Sequence, residues 1–219
     1  MGEALLGLLV GTLVGIVGSV LIVVASGYAG EEQEDIPLWV LGLGQIPLSL
    51  AYLGVTVVIL RRHRAGPADL RLAMRPLDVP LGLVLGVLAQ VAVAIIYLPV
   101  TWWTDLDPSE EARELTDRVG GTGTAVILVL MVVVLAPVVE ELFFRGTLLQ
   151  AGRGSLSPRA RILVSGVVFG AVHLQPLQFV PLALLGIFLA VLVERTGRLG
   201  LAIWTHVGFN GITTILLLS

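Results

Sequence analysis

The chain has 219 residues, of which 56% are hydrophobic and 13% charged, and its formal net charge is −3. Its mean hydropathy of +0.98 is far above what a soluble domain of this size needs for a core, so a water-soluble globular protein is excluded and a polytopic membrane protein is expected. Cysteine is absent, which removes disulfides, thiolate nucleophiles and cysteine-type zinc sites.

Taken in chain order, residues 4–25 form an uninterrupted apolar run preceded by Met-Gly-Glu, without the cationic region of a cleavable signal peptide. They predict a retained first transmembrane helix. Gly7, Gly11, Gly15 and Gly18 recur mostly at four-residue spacing, a stripe that lets another helix approach closely, within the chain or across a dimer. An acidic loop with Glu31, Glu32, Glu34 and Asp35 follows. Residues 37–60 are long enough for a second crossing, which ends in Arg61, Arg62, His63 and Arg64. With Arg71 and Arg75 these make a basic loop, cytoplasmic by the positive-inside rule. Residues 79–100 predict the third crossing. A segment over 101–121, rich in Asp and Glu and headed by Trp102 and Trp103, should face outward with a short amphipathic helix over 108–119.

The fourth crossing, 124–150, carries Glu140, Glu141 and Arg145 and leads to Arg153, Arg159 and Arg161. Residues 161–174, 177–193 and 201–218 predict three more, making about seven in an all-α bundle with an intramembrane polar chamber. Every arginine except Arg113 and Arg118 falls on one side of this arrangement. The expected location is a bacterial plasma membrane, with the N-terminus cytoplasmic and the C-terminus outside. The chain reads as one integrated membrane domain, with N-terminal helices and the acidic loop over 1–122 and the helices bearing the polar motifs over 123–219.

The informative residues are those that do not belong in a membrane. Each ionised group costs about 2.5–3.5 kcal/mol at a helix centre on insertion scales, so Glu140, Glu141 and Arg145 need partners or a task. At about 100° per residue Glu141 and Arg145 share a helical face while Glu140 points away; one carboxylate can be held while its neighbour does chemistry. Phe169 and His173 are four apart, as are His206 and Asn210, so each pair lies on one helical face. His63, the third histidine, sits in an arginine cluster and reads as a solvated loop residue. Each polar residue also has a purely structural reading. An intramembrane His or Asn can tie helices together, and Glu141 with Arg145 can be a neutralised ion pair. Three spaced motifs on late helices are harder to explain that way.

The chemistry open to such a cluster is narrow. There is no Gly-x-Ser-x-Gly, no Ser-His-Asp ordering and no pair of intramembrane aspartates, and Ser49 and Ser165 have no evident base. What remains is a carboxylate that can take a proton from water, imidazoles that can donate hydrogen bonds or bind a metal, and an amide that can stabilise an oxyanion. Hydrolysis by activated water fits those parts.

Glu140-Glu141-x-x-x-Arg145, then Phe169-x-x-x-His173, then His206-x-x-x-Asn210, in this order, resembles the CPBP family, the CAAX prenyl protease type II and bacteriocin-processing (Abi) intramembrane proteases. The match covers about 140–210. The resemblance implies an endopeptidase in which Glu140 activates water, His173 helps to hold that water or a metal, His206 and Asn210 stabilise the oxyanion, and Glu141 with Arg145 forms a supporting ion pair. It leaves the metal open: Glu140, His173 and His206 are the residues that would bind zinc, and a metal-free glutamate mechanism uses the same side chains. The implied partners are membrane lipid and a peptide or protein substrate, prenylated or a leader peptide, with no nucleic acid. A non-catalytic membrane immunity or scaffold protein is the alternative, and a proton-coupled transporter a third reading, although no repeat symmetry supports it.

Overall fold

The computed structural model describes residues 1–104, 106–107 and 109–219. The helices are α1 (Gly2–Ala25), α2 (Leu38–Arg62), α3 (Asp78–Trp103), α4 (Glu110–Asp117), α5 (Thr122–Ala151), α6 (Pro158–Ala171), α7 (Phe179–Thr196) and α8 (Gly200–Leu218). No strand occurs among the described residues. Six of the helices, α1, α2, α3, α5, α7 and α8, are long and apolar enough to cross a membrane. Large apolar side chains of α1 such as Leu6, Leu9, Leu13 and Leu21 point outward, as a lipid-facing surface requires.

The predicted fifth crossing is the one that differs. Its helix, α6, has 14 residues and at 1.5 Å per residue reaches roughly 21 Å, short of a hydrocarbon layer of about 30 Å. It starts earlier than expected because the Ser157 hydroxyl accepts from the Ala160 amide at 3.2 Å and Pro158 occupies the first turn, a strong helix start. It also ends earlier, at Ala171, so His173 leaves the helix and stands in the turn that leads to α7. The amphipathic helix expected over 108–119 is α4; its predicted start, Pro108, lies outside the described residues.

Glycine decides where helices meet. A Cβ on Gly7, Gly15 or Gly18 would strike Val55, Leu48 or Pro47 of α2, and one on Gly11 would press on Val55, so the stripe of α1 is used inside the chain. Gly166 and Gly170 of α6 and Gly186 of α7 cross backbone to backbone in the same way. Gly82 and Gly86 of α3 lie against Trp204, Thr205 and Phe209 of α8. A Gly86 side chain would collide with backbone, which cannot yield. Gly86→Leu is therefore expected to lower stability by about 1–3 kcal/mol or more, while Gly54→Ala, where nothing lies within 4 Å, should be near neutral. Thermal unfolding of both variants in micelles checks this, and equal melting temperatures would refute the packing account.

The ends of the bundle sort by charge, as the loop pattern predicts. At one end Arg62 meets Glu3 at 2.8 Å, Arg161 meets Glu194 at 2.7 Å, and Arg198 grips Asp78 through Nε and Nη2 at 2.6–3.1 Å. The loop after α2 folds over this end, where the Arg71 and Ala73 carbonyls accept from the Leu199 and Gly200 amides and satisfy N–H groups at the start of α8 that no helical carbonyl could reach. The acidic loop after α1 and the segment before α5 share the other end, joined by Arg118 Nη1 donating to the Ile36 carbonyl at 3.4 Å.

Candidate active site

The site is built on α5, which is not a uniform helix. Two stretches, Val129–Leu135 and Leu142–Leu148, are π-helical and bracket the turn that carries Glu140 and Glu141. A π-stretch widens the helix and leaves carbonyls in need of other partners, an arrangement common at functional sites. Side chains supply them here. Thr147 Oγ1 donates to Leu142 O at 3.2 Å, Gln150 Nε2 to Arg145 O at 2.8 Å, and Asn210 Nδ2 of α8 to Val132 O at 2.8 Å.

Glu141 and Arg145 are both completely buried, and Arg145 Nη1 donates to Glu141 Oε1 at 2.7 Å. Arg145 Nη2 donates to the Gly186 carbonyl at 3.0 Å. The guanidinium carbon lies 4.4 Å from the centre of the Phe169 ring and 5.9 Å from that of Phe144, cation–π contacts that desolvation strengthens. The charge that the sequence placed in the membrane is thus neutralised by a carboxylate, a carbonyl and two ring faces. Only the carboxylate was legible from spacing.

His206 joins the two glutamates. Its Nδ1 is 3.1 Å from Glu141 Oε1 and its Nε2 is 3.8 Å from Glu140 Oε2. Glu141 cannot move because Arg145 holds it, so the imidazole plane is set by a group that is itself pinned. Glu140 is the accessible member of the pair, its side chain 20% exposed. This division between a held and an open carboxylate is the one the 100° offset predicts. His173 approaches from the α6–α7 turn, where its Nδ1 lies 2.7 Å from the Phe169 carbonyl. The Phe169 ring sits edge-on to both imidazoles, 4.9 Å from His173 and 5.6 Å from His206. Asn210 is one turn beyond His206 on α8. Glu140, Glu141, Arg145 and His206 are thus joined by direct contacts, His173 reaches Arg145 and His206 through the Phe169 ring, and Asn210 bonds α5 at Val132.

The structure adds residues that the motifs do not contain. Gly186 contributes its carbonyl only because α6 and α7 cross there on glycines. Tyr52 of α2 stacks on Phe143, with ring centroids 4.9 Å apart, and its hydroxyl meets Thr12 of α1 at 3.0 Å, so the first two helices buttress the α5 aromatics. Nothing local in the sequence marks either contact.

The zinc set suggested by resemblance does not fit this geometry. Glu140 and His206 come within 3.8 Å of each other, a spacing two ligands of one ion can have, but no group of three His, Asp or Glu converges among the described residues. A catalytic zinc needs three protein ligands, which this arrangement does not bring together.

Fold and site together define a polytopic α-helical membrane protein with an acid–base cluster buried between its helices. Residues 122–212 match the family model described as type II CAAX prenyl endopeptidase Rce1-like, a similarity that agrees with the one carried by the three motifs. All six candidate residues fall inside the matched segment, whereas α1 to α3 lie outside it. No curated protein and no solved structure matches the chain.

Proposed function

We propose that the chain is an intramembrane endopeptidase that hydrolyses a peptide bond with water activated by Glu140. The observation that carries this reading is the unequal state of the two carboxylates: Glu141 is buried and bonded to Arg145 and His206, while Glu140 is open and faces the same imidazole. Glu140 takes a proton from water, and the hydroxide adds to the scissile carbonyl carbon. The negative charge that develops on the carbonyl oxygen is met by Asn210, whose amide has two N–H bonds, one of them spent on Val132, and by His206 in its doubly protonated form, which donates through Nε2 because Nδ1–H is spent on Glu141. The C–N bond then breaks, and the proton held by Glu140 passes to the leaving amine, giving an acid and an amine. His173, with Nδ1 on the Phe169 carbonyl, presents Nε2 as an acceptor that can orient the water.

The substrate class in this proposal is an apolar or lipid-anchored polypeptide, either CAAX-type or a leader sequence, reached from the membrane. Cleavage of quenched peptides, prenylated and unmodified, by purified protein in micelles tests it, with a chelator-treated arm to separate metal-dependent from metal-free water activation. His173→Ala is expected to lower turnover by about 10²-fold or more with helicity retained. Full activity in that variant would remove His173 from the mechanism, and a folded wild-type protein that cleaves nothing would favour a peptide-binding role for the cluster.

A further inference from the structure

His173 stands two residues beyond the end of α6, so the helix does not fix it. The residues that follow are unusual. Leu174 has φ of 55°, the left-handed region that disfavours any side chain with a Cβ, and a leucine there is a strained position. Its side chain is 79% exposed, so no packing of its own offsets the strain. Gln175 precedes Pro176, whose ring fixes its own φ and restricts the residue before it to extended backbone. The path from His173 to Leu177 therefore has little freedom, and whatever holds Leu177 also aims His173.

Leu177 is held from another helix. The hydroxyl of Tyr97, a buried residue of α3, donates to the Leu177 carbonyl at 2.5 Å and lies 3.4 Å from Gln178 Oε1. At the other end of the turn, a carbonyl acceptor at His173 Nδ1 requires the proton to be on Nδ1 in the neutral ring, which leaves Nε2 as the free lone pair. The turn is thus clamped at both ends, by Phe169 on α6 and by Tyr97 on α3. Tyr97 lies outside the family-matched segment.

We propose that Tyr97 is a positioning residue for His173: its hydroxyl keeps the strained α6–α7 turn closed, and with it the tautomer and aim of the imidazole. The proposal takes from the protease reading what His173 does, but not where His173 is held. Tyr97→Phe keeps the ring and removes the donor. The test is nitrogen and carbon NMR of labelled histidine in the full chain reconstituted in lipid. Three histidines are present, so His63→Ala and His173→Ala spectra assign the signals. Wild type should show His173 as a single Nδ1–H tautomer; Tyr97→Phe should give a mixture of tautomers at His173 and leave His206 unmoved. In the peptide assay the same variant should lose about 10- to 100-fold in kcat, the scale set by misplacing a catalytic group by an ångström, with KM within about twofold. An unchanged His173 signature, or a raised KM with unchanged kcat, would overturn the proposal. A moved signature in a protein whose wild type cleaves nothing would retain Tyr97 as the clamp and defeat the protease reading alone.

Discussion

Glu140→Gln is expected to lower peptide cleavage by about 10²- to 10⁴-fold, the range that a positioned general base contributes, while the protein stays folded and inserted. The substitution keeps size and a hydrogen-bonding oxygen but removes the group that takes the proton. It is also structurally mild, because Glu140 is the partly exposed carboxylate and, among the described residues, no charged partner holds it closer than His206 at 3.8 Å. Single-turnover rates in micelles would measure the effect, with melting temperature as the control for folding. A variant that retained more than a tenth of wild-type turnover would assign water activation to another residue. Glu141→Gln should differ in kind: it breaks the support of His206 and the partner of Arg145 together, so lost activity should come with lost stability.

Arg145→Met is expected to have the largest effect on stability. Removing one member of a buried ion pair leaves the other charge uncompensated, at a cost of about 3–5 kcal/mol. Here Glu141 would be left fully buried without its partner, and the Gly186 carbonyl would lose its donor. The double variant Glu141→Gln with Arg145→Met removes both charges and should recover a substantial part of the loss, since neutral groups of similar volume pack where the pair stood. Unfolding in mixed micelles, compared across the two single variants and the double, measures the coupling. If the single variant unfolded within about 1 kcal/mol of wild type, the pair would be a surface-like contact and not the pin of the site.

These expectations connect the site to its helices. Glu141 can orient His206 only because Arg145 fixes Glu141, and Arg145 can be buried only because Gly186, Phe144 and Phe169 surround it. The close crossing of Gly166 and Gly186 is what brings that carbonyl within reach. Losing a methyl-free contact between α6 and α7 would therefore be felt at the glutamates, one shell away from the chemistry.

The sequence by itself determined the class of the protein and the list of polar residues. Hydropathy and the alternation of acidic and basic loops are properties of contiguous residues, so they gave the crossings and the sorting of charge between the two ends. Helical spacing is local as well. It paired Glu141 with Arg145, and it foretold a close approach at Gly7, Gly11 and Gly15. Tertiary structure decided the rest, since it turned on residues far apart in the chain. The length of α6 depended on a cap at Ser157 and a turn into Pro176, and that moved His173 off the helix face where a four-residue period put it. The π-stretches of α5 released carbonyls that Thr147, Gln150 and the distant Asn210 had to satisfy. His206 found Glu141 across 65 positions, and Tyr97 found Leu177 across 80. In a membrane a polar group without water must take whatever partner the packing brings, and no local pattern records which one that is.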